Sequence, residues 1–224
     1  MQSTVINEQV QTVKNQSLSK VVQQQLENMI LNGELAPGER INESYLSSHL
    51  QISRAPIREA CRQLAQYGMV ETRTGKGSFV CQVDLKEAIE LYEIRGAFDA
   101  LAAEQAASRA SEDDINALEQ HISQMEESEK ANDRVEYFSS NLKFHHQIVL
   151  ISRNSALLEL YSVVLKKLSL FRQQNLSKPN QMADSLAQHK GIFAAIKTKD
   201  ATKASELARQ HVEEAKQRLL EAKQ

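Results

Sequence analysis

The stretch "SRAPIREACRQLAQYGMVETRTGKGSFV", residues 53–80, decides how this chain is read. Ser53 is a residue type that caps helices, and Pro56 falls in the first turn, where a missing backbone N–H costs little. Ile57, Ala60, Cys61 and Leu64 then recur at helical spacing as one apolar stripe. Arg54, Arg58 and Arg62, four apart, run along a neighbouring stripe with no acidic residue in the row. After Gly68 the pattern turns to two short strand-like runs around Thr74-Gly75-Lys76-Gly77, which predicts a tight hairpin.

Upstream, "NESYLSSHLQI" (42–52) predicts a helix of about two turns, capped by Asn42 or Ser44, with Leu46 and Leu50 facing inward. Before it, Leu18, Val21, Val22, Leu26, Met29 and Ile30 space out a first helix that ends at Gly33 and turns through Pro37-Gly38. Two helices joined by about three residues, the second longer, make a helix-turn-helix, and a basic hairpin directly after it makes a wing. Arginines at the start of such a helix suit a major groove, since a guanidinium pairs with guanine O6 and N7 or clamps a phosphate. A merely solvated basic face is the alternative reading.

Working outward, the 224 residues, 41% hydrophobic and 25% charged, are those of a globular protein with a sizeable core. No apolar run approaches the roughly 18–20 residues of a membrane span, and the polar start "MQSTVINEQVQTVKNQ" lacks the blocks of a secretory signal; the expectation is a cytoplasmic protein. Cys61 and Cys81 match no metal or redox spacing and read as small apolar residues. The net charge of −2 hides an uneven distribution: residues 17–80 carry seven basic against six acidic side chains, and residues 84–224 carry 19 against 22. Net charge alone argues against nucleic acid, whereas the clustering of arginines argues for it.

Six of the seven glycines fall before residue 97, and Pro179 is the only proline in the second half. The segments from Asp84 onward read as six helices, opened by Asp84, Ser111 (with Asp114 as a capping-box partner), Asp133, Asn154, a segment near Met182, and Asp200. An antiparallel bundle is their simplest packing. The fold class is therefore mostly α: a winged helix-turn-helix over 17–81 and an all-helical bundle over 82–224, after a polar, flexible arm at 1–16.

The run "GERINESYLSSHLQISRAPIREACRQLAQYGMVETRTGKGSFV" resembles the winged-helix domain of the GntR family of bacterial transcription regulators over about 60 residues. Ser47, Ile57, Cys61 and Met69 stand where the family pattern has alanine, valine, leucine and leucine. That resemblance implies operator contacts from Ser53, Arg54 and Arg58 on the recognition helix and from Thr74, Gly75 and Lys76 at the wing tip. A basic contact common at the start of the family's second helix is replaced here by Ser44.

The second half resembles the FadR-like (FCD) effector domain of the same family in its six-helix form, through "YEIRGAFDALAAEQAA", "NLKFHHQIV" and the "QHKGIFAAIKTKDATKA…ARQHV" ending. The resemblance implies a divalent metal held by Asn141, His145, His189 and His211. Residues i and i+4 share a helix face, and three imidazoles suit zinc, nickel or a similar ion. Asn141 stands where the family has aspartate, so the ligand set is neutral and leaves the ion's full charge to attract an anion. His146 lies about 100° round the helix from His145 and reads as a bystander; His49 and His121 have no partners at sensible spacing.

Arg95 lies in an otherwise apolar stripe (Leu91, Ile94, Phe98, Leu101, Ala102) and, if it faces the interior, must be paired. Asp99 is the partner within its own helix; the resemblance implies instead the carboxylate of an effector. Tyr161 and Arg172 are the other effector-binding candidates. The expected protein is a homodimeric regulator, a repressor rather than an enzyme, binding a near-palindromic double-stranded operator and modulated by a small organic acid. An acyl-CoA effector without metal, and a metal-dependent hydrolase, are the alternatives; the hydrolase lacks a general base beside the ligands.

Overall fold

The computed structural model describes residues 18–175 and 182–221, with the side chains of 172–175 outside that description. The arm at 1–16 also lies outside the described residues. The chain forms two compact units. The first takes in the residues up to Leu85 and those from Leu165 in the seventh helix; the second holds Lys86–Val164 and the C-terminal part of the chain.

In the first unit, α1 (18–31) is followed by α2 (Glu43–Leu50), α3 (Arg54–Gln66), β1 (Val70–Arg73) and β2 (Gly77–Val80). Its core collects Leu26 and Ile30 from α1, Leu46 from α2, and Ile57, Ala60, Cys61 and Leu64 from α3. Val21 is 64% exposed and Leu50 39%, so neither joins the core as their spacing suggests. Burial also pushes the Cys61 thiol up to about 11, which keeps it protonated and inert.

Asn42 caps α2 by accepting from Tyr45 N–H at 3.0 Å. Gln51 ends it in the left-handed region, and the Ser47 hydroxyl donates to the Ile52 carbonyl at 2.7 Å, which closes the turn into α3. Ser53 occupies the N-cap of α3 in extended backbone, but its hydroxyl makes no capping bond and is left to the surface. Gly68 stops α3 at φ +65, with Gly68 N–H on the Ala65 carbonyl and Met69 N–H on the Leu64 carbonyl. The hairpin then pairs Val70 with Val80 and Arg73 with Gly77. At its tip Lys76 N–H returns to the Arg73 carbonyl at 2.9 Å, with Gly75 at φ +71, a conformation that favours glycine.

One feature of this unit is absent from the sequence pattern. Residues 38–41 run along the free edge of β2, with Ile41 N–H on the Ser78 carbonyl and Val80 N–H on the Glu39 carbonyl, both at 2.9 Å. The stretch reads as a turn because Pro37-Gly38 dominates its composition, yet it supplies a third line of backbone pairing.

The second unit contains α4 (Leu85–Arg109), α5 (Glu112–Lys130), α6 (Arg134–Ile151), the first half of α7 (Ser155–Asn175), α8 (Met182–Lys197) and α9 (Ala201–Glu221). Three-residue connections fold α5 against α6 and α8 against α9, and α5 packs on α8. The caps follow the sequence: Ser111 and Asp114 form a reciprocal capping box, Asp133 accepts from Val135 and Glu136, and Asn154 and Asp200 cap α7 and α9. Helix ends are made without glycine, by Asn132, Arg153 and Lys199 at positive φ.

The buried face of α4 is built from small residues, Ala88, Gly96, Ala100, Ala103 and Ala107, around Arg95 and Asp99. Ile94 and Leu101, in the same apolar stripe as Arg95, are 45% and 38% exposed. At Gly96 the side chain of Val212 packs against the helix.

Candidate nucleic-acid interface and candidate metal centre

In the first unit, Arg54, Arg58, Thr74 and Gly75 line one groove between α3 and the hairpin, joined there by Arg40 and Arg62. Ser53 and Lys76 are exposed but lie outside its lining. The arginine row is partly neutralised: Arg58 Nε donates to Glu43 of α2 at 2.8 Å, and Arg62 to Glu59 at 2.6 Å. Arg54 makes no ion pair among the described residues. Arg58 is thus already held by an acidic partner in the free chain. Arg40, on the edge-paired segment, and Arg73, stacked 4.4 Å from the Phe79 ring centre, were not singled out from the sequence. Arg40 is isolated in the chain, and only the pairing of 38–41 with β2 brings it to the groove.

In the second unit, α6, α8 and α9 bring His145, His189 and His211 together, all buried, with one nitrogen of each within 4.8 Å of the others. His145 Nε2 lies 3.1 Å from His189 Nε2. The His211 Nδ1–H donates to Gln188 Oε1 at 2.7 Å, and the Gln188 amide nitrogen donates to Glu214. That leaves His211 Nε2 as its lone-pair nitrogen. Phe144 closes one side, its ring edge-on to His145 and His189. Burial holds the His189 and His211 pKa values well below the ordinary histidine range, so both rings are neutral.

Beside the histidines is a buried charged group. Arg95 Nε donates to Asp99 Oδ2 at 3.0 Å, Tyr161 O–H donates to Asp99 Oδ1 at 2.8 Å, and His145 Nδ1 lies 3.5 Å from the same oxygen. Burial alone raises a carboxyl pKa, but Arg95 and then His145 outweigh it and hold Asp99 well below the usual carboxylate range. Burial, and next the Asp99 charge, push Tyr161 far up. Of the two candidate partners of Arg95, Asp99 is the one engaged.

Asn141, one turn before His145, is half-buried, and His146 is exposed. His49 is exposed and stacks on Tyr45; His121 lies 3.4 Å from Gln124. The Arg172 side chain lies outside the described residues. Gln188 and Asp99 are the members of the cluster that the sequence did not mark as site residues. Adjacency to His189 is the only sequence signal for Gln188.

The three histidines fit a divalent ion. Two nitrogens on tetrahedral zinc at about 2.0–2.1 Å stand roughly 3.3 Å apart, close to the 3.1 Å between His145 and His189. His189 Nδ1 is buried and makes no well-formed hydrogen bond among the described residues, with the Ser185 backbone as a weak partner of the ring.

A winged helix with an arginine-lined groove and a helical bundle enclosing a polar cluster define a class, the two-part transcription regulator. Residues 18–80 match the bacterial regulatory proteins of the gntR family, and residues 90–214 match the FCD domain. The chain belongs to the GntR family of transcriptional regulators, in the branch that carries an FCD domain. It is 35% identical over 192 residues to the HTH-type transcriptional regulator YdhC of Bacillus subtilis, covering 84% of this chain and 83% of that one. It is 24% identical over 213 residues to the HTH-type transcriptional repressor RspR of Escherichia coli, covering 94% and 90%. The fold is also that of Escherichia coli McbR/YncC, with a TM-score of 0.78 at 19% identity over 92% of this chain and 99% of the other. The family consists of transcription regulators, not enzymes, that bind DNA and a small molecule. No described helix is long and apolar enough to cross a membrane.

Proposed function

We propose that this protein is a cytoplasmic, homodimeric repressor that binds a near-palindromic operator and releases it when a small organic acid binds beside a divalent metal in the bundle. The observation that carries the reading is the buried trio His145, His189 and His211 packed against the Arg95–Asp99 pair. Zinc or nickel is the ion, Asn141 the fourth protein ligand through its carbonyl oxygen, and Arg95, Tyr161 and Arg172 the groups for the acid. The bound ion supplies a Lewis-acidic charge for an anion. Since Arg95 already holds Asp99, an incoming carboxylate shares or displaces that partner, and binding thereby reaches α4, α6 and α7 together.

On the DNA side, Ser53, Arg54 and Arg58 read the major groove and Thr74, Gly75 and Lys76 the backbone or minor groove. One recognition helix covers one half-site, so a second copy supplies the other. The exposed Ile94 and Leu101 of α4 give apolar surface for such pairing. The repressor sign is supported by the repressor role of RspR. We divide the chain into the arm 1–16, the winged helix 17–81 and the effector domain 82–224. By linkage, an acid that weakens operator binding is itself bound more weakly by the DNA complex.

The test combines metal analysis of protein purified without chelator, melting curves across a library of small carboxylates with and without zinc or nickel, and operator titrations with any acid that shifts the melt. The reading predicts one metal per chain, a selective shift that needs the metal, and weakened operator binding. Absence of an ion after reconstitution, or no acid shifting the melt, removes its support.

A further inference from the structure

Of the three clustered histidines, His145 alone has a carboxylate behind it. Its Nδ1 faces Asp99 Oδ1 at 3.5 Å, while Nε2, across the ring, faces His189 Nε2 at 3.1 Å. An ionised carboxylate only accepts, so the nitrogen turned toward it carries the proton and the opposite nitrogen keeps the lone pair. Asp99 cannot turn away, since Oδ2 is held by Arg95 Nε and Oδ1 by the Tyr161 hydroxyl, all within a buried group. His211 is oriented in the same sense by a neutral acceptor, Gln188 Oε1.

We infer that Asp99 is the positioning residue of the histidine cluster: it locks His145 with the proton on Nδ1 and aims the Nε2 lone pair at the other two rings. A carboxylate behind a ligating imidazole fixes the ring and strengthens it as a donor, and removing such a partner ordinarily weakens metal binding about 10- to 100-fold. The same carboxylate also holds Arg95, so the group proposed to meet the acid and the group proposed to meet the metal share one anchor. The ring orientation is a property of the metal-free chain; the effect on affinity rests on the metal reading above.

The experiment uses the full-length chain labelled with ¹⁵N at histidine, at about pH 8, above the ordinary histidine range. Ring-nitrogen shifts locate the proton on His145 without metal, and a chelator competition measures zinc affinity. Arg95→Met/Asp99→Leu removes the acceptor without stranding a buried charge, and Asp99→Asn keeps the shape and removes the charge; far-UV circular dichroism confirms folding of each. The native chain should hold the His145 proton on Nδ1. The double variant should shift it toward Nε2 and weaken zinc about 10- to 100-fold, and Asp99→Asn should weaken zinc in the same direction. A proton still on Nδ1 in the double variant, or zinc affinity within twofold of native in both variants, overturns the inference and leaves the metal reading standing. If the native chain binds no zinc, the metal reading fails instead, and the position of the His145 proton alone decides the role of Asp99.

Discussion

Breaking the Arg95–Asp99 pair from either side should be far more damaging than removing it whole. Both side chains are buried, and they meet at 3.0 Å on one helix. Removing one member of a buried ion pair costs about 3–5 kcal/mol, because it strands a charge, whereas replacing both by apolar residues is often neutral or stabilising. The surroundings order the two single variants. In Arg95→Met the Asp99 carboxylate keeps Tyr161 and His145 as partners, which puts the cost near the lower end, about 3 kcal/mol. In Asp99→Leu the guanidinium loses its carboxylate in the interior, which puts the cost near the upper end, about 5 kcal/mol. The double variant should lie within about 1 kcal/mol of native, so the pair couples by more than the ~3 kcal/mol that bounds most neighbouring residues. Urea unfolding of metal-free protein, followed by circular dichroism, measures all four corners of the cycle. For a chain of this size the single variants should also melt roughly 10–15 °C early. The reasoning is refuted if either single variant costs less than about 1 kcal/mol, or if the double variant is no more stable than the worse single one.

Three further outcomes follow from the same geometry. Arg58→Ala should cost about 1–3 kcal/mol at the operator and relax base preference, toward the low end because Glu43 already occupies this arginine in the free protein; a titration at fixed salt checks it, and unchanged affinity removes Arg58 from the interface. Asp114→Ala removes one half of the α5 capping box and should cost about 1 kcal/mol at neutral pH. The folded Asp114 pKa is lowered, because hydrogen bonds from Ser111 and the Arg153 charge outweigh burial. Its stabilisation is therefore present above the unfolded value of about 4 and lost as pH falls through the folded value, so the gap between native and variant melts should close below about pH 4. Zinc at about 100 times its dissociation constant should stabilise the native chain by about 2.7 kcal/mol, and His189→Ala should abolish the shift; an equal shift in the variant places the ion elsewhere.

Local patterns settled much of this protein before any coordinates. The helix-turn-helix and wing were legible because capping residues, a short turn and the change from helical to alternating spacing each depend on a few neighbours in the chain. The six later helices were legible for the same reason, and so was the placement of Asn141 and His145 on one helix. What the tertiary structure decided are the contacts that spacing does not encode. It placed Arg40 in the groove by pairing 38–41 with β2, and gave Arg58 an acidic partner from α2. It buried Arg95 and Asp99 while leaving Ile94 and Leu101, of the same apolar stripe, partly exposed. Above all it set Asp99 behind His145. Read along the chain, Asp99 is the i+4 partner of Arg95 and nothing more. Only when α4, α6 and α7 pack does its second oxygen meet an imidazole and a phenol, and a residue whose helix accounts for one of its contacts acquires two others.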